Sequence, residues 1–249
     1  LELEQNTVKY EVSEGTARIV MNRPEVKNAL NLEMHEELRA AFTEASSDED
    51  VRVIVLEGAG DAFSAGADLK SVAHEDTESI DYGHYLRETY NRLILLITEI
   101  QKPIVAHLNG TAVGAGLSIA LACDFRVASY DAKLALSFMK IGLVPDAGAS
   151  YFLPRLVGLG KAMELALGGT ISAEEAYRIN LITKIGAPDE LIETLHAMPG
   201  QAYGMMKQNM KEGFEKNLAE VLEMEVSAQS QAGASVEHQQ ALNHFLGRT

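Results

Sequence analysis

The sequence predicts an α/β fold in which parallel strands alternate with crossover helices, followed by an all-helical C-terminal region. Three observations carry this. The stretch Val51 to Glu57 (VRVIVLE) holds the unbroken apolar run VIVL, the pattern of a strand buried on both faces and hence of a parallel sheet. A strand, a glycine turn, a helix and a further strand then recur, as parallel strands with crossover connections require. Beyond about residue 195 strand signals give way to helical spacing, so residues 1–195 are expected to form the core and 196–249 a helical region packing on it and on a neighbouring subunit.

The elements follow in order. Val8 to Val12 and Thr16 to Met21 read as strands joined at Glu14-Gly15, a hairpin turn. Pro24 ends the second, because proline fixes its own φ and biases Arg23 toward an extended conformation. Asn31 caps a helix running to about Ser47, with Leu32, His35, Leu38, Ala41 and Phe42 at helical spacing. His35 has no acid or nucleophile at hand in that pattern and reads as a structural residue. Tyr82 to Ile100 reads as one long amphipathic helix, Ile104 to Leu108 as a buried strand, Gly114 to about Ala122 as a helix of small residues, and Phe125 to Ala128 as a short strand. Ser172-Ala173-Glu174-Glu175 has the spacing of a capping box. Helices are expected over Gln201 to Leu222, Glu223 to Gly233 and Val236 to Leu246.

Composition excludes several classes. The 249 residues carry a net charge of −15, which argues against nucleic acid and anionic membrane surfaces, since both need clustered Lys and Arg. Cys123 is the single cysteine, so no intrachain disulfide forms. It sits in an apolar run and reads as a buried thiol. Leu1 to Tyr10 is polar and acidic, unlike a signal peptide, and no apolar run has the length of a membrane span. A cytoplasmic protein is expected. The seven histidines (35, 74, 84, 107, 196, 238 and 244) are scattered without HExxH or CxxC spacing, which argues against a metal site. GxSxG, GxGxxG and the P-loop pattern are absent.

What remains is two strand-to-helix turns of small residues, Phe63 to Lys70 (FSAGADLK) and Val113 to Ser118 (VGAGLS), and one acid, Asp146, in a nearly uncharged setting. Small side chains let a ligand approach the backbone. Amides at a helix N-terminus point outward without partners. One donor from each turn could hold a single carbonyl oxygen as an oxyanion or enolate. Tight strand–helix packing would demand the same glycines, and Asp146 after Pro145 could equally be an N-cap or turn former.

These motifs, together with NRPEVKNALN (Asn22 to Asn31), the run Lys102 to Ser129, GLVPDAGASYFLPRLVG (Gly142 to Gly158) and ISAEEAYRINLITKI (Ile171 to Ile185), resemble the crotonase (enoyl-CoA hydratase/isomerase) superfamily over nearly the whole chain. The resemblance implies a crotonase-like ββα spiral, a helical C-terminal region that builds trimers or hexamers, and an acyl-CoA ligand whose CoA belongs to the substrate, with no separate cofactor. It maps the oxyanion amides onto Ala67 and Ala115. It lays CoA along Val26, Lys27, Ala29, Ala65, Asp68, Leu69, Lys70 and Gly114, with Lys27 and Lys70 as candidates for its phosphates. Phe245 and Arg248 resemble tail positions that reach CoA from a neighbouring subunit. Between Pro188 and Gln201 the chain is shorter than the family usually runs.

Departures from the pattern carry the most information. The two glutamates of the family's hydratases fall at Ser118 and Phe138. Asp146 stands where many hydratases have glycine, as in the isomerase-like branches, and GLVPD followed by small and aromatic residues is most similar to the ring-epoxyphenylacetyl-CoA isomerases. This implies isomerisation of an acyl-CoA through an enolate, with Asp146 moving the proton and Ile141, Leu143, Val144 and Phe138 desolvating it. The alternatives are a hydratase of fatty acid or phenylacetate degradation, and a non-catalytic CoA-binding subunit. A related dehalogenase chemistry calls for an aromatic cage that normally includes Trp, which this chain lacks.

Overall fold

The computed structural model describes residues 6–73 and 81–247. Strands β1 (Val8–Ser13) and β2 (Thr16–Met21) pair antiparallel. Glu14 and Gly15 between them both have positive φ, 48° and 75°, which matches the twist of a two-residue hairpin. Helix α1 (Leu32–Ser47) begins where predicted, with the Asn31 side chain accepting the Met34 N–H. Three units of the same kind follow. In each, a long strand is followed by a short turn, a very short strand and a helical segment.

The first unit is β3 (Val53–Gly58) and β4 (Ala62–Ser64) with α2 (Leu69–Ala73), after which come α3 (Tyr82–Glu88) and α4 (Tyr90–Glu99). The second is β5 (Ile104–Leu108), β6 (Thr111–Val113) and α5 (Ala115–Ala122). The third is β7 (Phe125–Ala128) and β8 (Lys133–Ala135), leading to a 3-10 turn over Ser137–Ile141. Within the three units the longer strands (β3, β5, β7) join one sheet and the very short ones (β4, β6, β8) a second, so the chain winds as a ββα spiral. After it come α6 (Ala149–Val157), α7 (Leu159–Ala166), β9 (Ile171–Ser172), α8 (Ala173–Arg178) and β10 (Lys184–Ile185). The first sheet has the order β1-β2-β3-β5-β7-β10 and is parallel from β2 onward; the second has the order β4-β6-β8-β9. The remaining helices are α9 (Asp189–Ala197), α10 (Gly200–Glu212), α11 (Leu218–Ala234) and α12 (Val236–Phe245).

The VIVL run explains the layering. Ile54 and Leu56 join the main core with α1, α4 and α5, while Val53 and Val55 face Ile192 and Leu195 of α9 and Tyr203 of α10. Each fully buried aliphatic side chain of this kind contributes roughly 1.5–3 kcal/mol. Cys123 is buried and its thiol is pushed up to about 12 by burial, as an inert core cysteine.

Three expectations need correction. Tyr82 to Ile100 is two helices, because Thr89 leaves helical geometry (φ −112°, ψ −88°) and its hydroxyl donates to the Tyr85 carbonyl at 2.6 Å. In the tail the break falls at Gly213 to Asn217, not at Leu222: Asn217 and Glu220 form a reciprocal capping box that starts α11. At Ser172 only half of the box exists, since the Ser172 hydroxyl caps Glu175 N while the Glu175 carboxylate turns to Arg178. Burial continues through α10 and ends there, since α11 and α12 contain no buried residue.

Candidate active site

The FSAGADLK turn is locked from below by Asn28. Its side-chain amide donates to the carbonyls of Ala59 (2.9 Å) and Ala62 (2.8 Å), and its main-chain carbonyl accepts the Ser64 hydroxyl at 2.8 Å. Leu30 then forms a parallel bridge with Ala67: Leu30 N donates to Gly66 O at 2.8 Å and Asp68 N donates to Leu30 O at 2.9 Å. A parallel bridge uses the groups flanking its central residue, so the N–H of Ala67 points to the opposite side. It has no acceptor among the described residues.

The second turn brings a matching amide. Gly114 adopts φ 54° and ψ −128°, and its N–H donates to Ala135 O at 2.8 Å. Only glycine enters that conformation without penalty. Ala115 is the first residue of α5, so its N–H has no carbonyl one turn earlier to accept it. The two turns are adjacent: a Cβ added to Gly66 would lie 2.8 Å from Val113 O and 3.4 Å from Ala115 N.

Ala67 and Ala115 line one end of a cavity of about 410 Å³ that also holds Ala65, Gly66, Leu69 and Gly114. The lining continues with Phe138, Ile141, Leu143 and Val144 from the segment before α6, and with Tyr82, Tyr85, Leu86 and Tyr90 of α3 and α4. Asp146 is the one acid lining it among the described residues. Its Oδ1 is buried without a hydrogen-bond partner, and burial pushes the carboxyl up to about 6. The N-cap of α6 is Gly148, without a side-chain cap, and the turn is closed by the Asp146 main-chain carbonyl accepting Ala149 N at 3.0 Å. The carboxylate is therefore free of the capping role.

The structure separates the other sequence candidates. Ala65, Leu69 and Gly114 line the cavity, whereas Val26, Lys27, Ala29, Asp68 and Lys70 do not. Val26 and Lys27 lie on the short 3-10 turn and its left-handed C-cap. The Asp68 carboxylate is engaged by Arg23 Nη1 at 2.9 Å and by Ser71 N at 3.2 Å. Those bonds hold it below the usual carboxylate range despite some burial, and it serves the turn. Ser118 is fully buried, and its hydroxyl bonds Gly114 O at 3.2 Å. Phe138 presents only hydrocarbon. Phe245 is exposed on α12, and Arg248 and His74 lie outside the described residues. No three His, Cys, Asp or Glu side chains among the described residues converge as metal donors.

The tyrosine wall and Lys140, which also lines the cavity, were not singled out from the sequence. Tyr82, Tyr85 and Leu86 recur at helical spacing, and Tyr90 follows across the Thr89 bend, so this stripe looks like ordinary core. Aromatic rings thus line the cavity even without Trp. His35 behind the wall is buried, neither ring nitrogen has a partner, and burial pushes it down to about 4, the condition of a structural histidine.

A ββα spiral whose two short turns present paired amides beside one cavity is the crotonase architecture. The enoyl-CoA hydratase/isomerase family model matches residues 11–249. The chain belongs to that family. It is similar to a probable enoyl-CoA hydratase of Rhodobacter capsulatus, 38% identical over 97% of this chain and 95% of that one. It is also similar to the 1,2-epoxyphenylacetyl-CoA isomerase of Escherichia coli, 33% identical over 95% and 94%. Among solved structures, a putative enoyl-CoA hydratase/isomerase from Mycobacterium abscessus superposes with a TM-score of 0.90 at 36% identity, covering 97% of this chain and 96% of that one.

Proposed function

We propose that the protein is an acyl-CoA isomerase in which Asp146 carries a proton between two carbons of the acyl group. The carboxylate takes a proton from Cα or Cγ of the thioester. The C–H electron pair moves into an enolate whose oxygen is held by the N–H groups of Ala67 and Ala115, and protonated Asp146 returns the proton at the other carbon. The observation that carries this reading is that a single acid, half-buried and pushed up to about 6, faces the cavity into which both free amides open. One carboxylate suffices for a proton shuttle, whereas hydration also needs a held water. The hydroxyl of Ser118 is already bonded to Gly114 O, and Phe138 has nothing to donate.

CoA would leave the cavity past Ala65, Leu69 and Gly114 toward Val26, Lys27, Ala29 and the main chain of Asp68, with Lys27 and Lys70 near its phosphates. The tail would pack on neighbouring copies as a trimer or hexamer. Leu218, Val226, Val236 and Phe245 are all exposed on α11 and α12, a surface that favours association.

The test is Asp146→Asn on a 3-enoyl-CoA, followed by chromatography and by deuterium uptake at Cα and Cγ. A loss of about 10²–10⁴-fold with CoA-thioester binding retained is expected; wild-type turnover in the variant would end the reading. The hydratase reading draws on the name of the Rhodobacter capsulatus relative, and efficient hydration of crotonyl-CoA by the wild-type protein would favour it.

A further inference from the structure

Ser64 ends β4 and is fully buried. The pairing of β4 with β6 shifts register between Ala62 and Ser64, the kind of irregularity that re-aims a side chain. The Ser64 hydroxyl donates to the main-chain carbonyl of Asn28 at 2.8 Å and accepts the N–H of Gly66 at 3.1 Å. The amides of the turn divide accordingly. Ala65 N donates to Lys27 O, Asp68 N to Leu30 O and Leu69 N to Ala67 O. Between them, Gly66 N is taken by a side chain, and Ala67 N has no acceptor among the described residues. Gly66 has φ 93°, a region that glycine enters and leaves freely. It is pinned at its N–H by Ser64 Oγ and at its carbonyl by Leu30 N. That carbonyl shares a planar trans peptide with the Ala67 N–H, so the two point opposite ways and fixing Gly66 aims the Ala67 donor. Ser64 also meets the second turn. A Cβ added at Gly116 would lie 2.6 Å from Ser64 Cβ and 2.7 Å from its Oγ, so α5 rests directly on Ser64 at the residue after Ala115. One buried side chain therefore touches both turns that carry unpaired amides.

We propose that Ser64 is a positioning residue for the two amides: its hydroxyl aims the Ala67 N–H, and its side chain sets the seat of α5 that places the Ala115 N–H. The inference rests on the reading of those two amides as the holders of the thioester oxygen.

The experiment compares wild type with Ser64→Ala, which keeps the Cβ against Gly116 and removes only the oxygen. Infrared spectroscopy would follow bound hexanoyl-CoA, a saturated thioester isotope-labelled at its carbonyl, and kinetics would follow 3-hexenoyl-CoA. In wild type the bound carbonyl band should fall below its position in water, because two preorganised donors polarise it. Ser64→Ala should lose about half of that displacement, the share of one donor of two, and kcat should fall about 10- to 100-fold with KM and the Kd of hexanoyl-CoA within about threefold of wild type. Ser64→Cys leaves a weaker acceptor at Gly66 N and serves where the alanine variant does not fold; its band should lie between the free and the wild-type bound positions. The proposal is overturned if the variant that folds keeps both the band and the kcat of wild type and loses only Tm. It is also overturned if kcat falls while the band stays, since the loss then arises away from the carbonyl. Asp146→Asn separates the two levels. It should keep the wild-type band, so its turnover judges the proton shuttle alone. A wild-type band that does not move on binding would remove the oxyanion reading itself, and the proposal with it.

Discussion

The Cβ position of Gly66 and the amide nitrogen of Ala115 lie 3.4 Å apart, although the two residues belong to different turns of the spiral. That approach brings the two turns that carry the unpaired amides into contact. Ala115 is the first residue of α5, the position where proline is best tolerated because its missing N–H has no helical partner. Ala115→Pro should therefore fold with a Tm near wild type yet lose one oxyanion donor. A fall in kcat of about 10²–10³-fold with KM little changed is expected. Steady-state kinetics and a melting curve check it, and unchanged kcat would remove Ala115 from the chemistry.

Asn28 acts on the other amide at one remove. It is fully buried at φ 54° and fastens Ala59, Ala62 and Ser64 through three hydrogen bonds. Alanine there forfeits the three side-chain bonds, the two donated to Ala59 O and Ala62 O and the one Oδ1 accepts from Arg23 N at 2.9 Å, and is strained in the left-handed region. Asn28→Ala should cost about 2–4 kcal/mol in urea unfolding and should lower kcat more than KM, since the FSAGADLK turn loses its anchor.

Two groups, buried His35 and half-buried Asp146, titrate in the same pH window with opposite sign. His35 falls from 6.5 to about 4 on folding. Between these values the unfolded chain binds the extra proton, so His35 costs stability as pH falls. Asp146 rises from 3.8 to about 6. There the native state binds the extra proton, so its stabilising effect is full below about 3.8 and is lost as pH rises through 6. The His35 effect is about 3 kcal/mol and that of half-buried Asp146 about 1–2 kcal/mol. Against wild type, Asp146→Asn should lose stability more steeply from pH 6 to 4 and gain about 1–2 kcal/mol at pH 7. His35→Phe should lose it less steeply. Urea midpoints at several pH values read both slopes. Activity should fall below about pH 6, as Asp146 takes up the proton that it must be free to accept.

How much of this was legible beforehand follows from length and burial. Val53 to Leu56 and Ile104 to Leu108 announce themselves because a strand buried on both faces is an unbroken apolar run. β4, β6, β8 and β9 have two or three residues each, too few for any alternation to register. The small-residue turns around Gly66 and Gly114 and the isolated acid at 146 stood out because each contradicts its surroundings. Tyr90 did not, since an aromatic residue on an apolar stripe looks the same whether it faces core or cavity.

The last relationship ties the helical region to the sheet. Lys207 of α10 meets Asp124 Oδ2 at 2.6 Å with side chains only 6% and 9% exposed, and Asp124 also accepts Ile104 N at 2.9 Å, at the start of β5. Burial draws the Lys207 ammonium below its usual range while the Asp124 charge opposes this. A pair so buried adds little over a hydrophobic substitute, but removing Lys207 leaves the buried Asp124 carboxylate only the more distant, half-exposed Lys211 Nζ at 3.6 Å. Lys207→Met should cost about 3–5 kcal/mol. Adding Asp124→Asn should recover part of that loss, because an amide can still accept from Ile104 N without leaving a buried charge. A double-mutant cycle by urea unfolding checks the sign. Additive losses would mean that α10 is held by Tyr203 and its apolar neighbours alone.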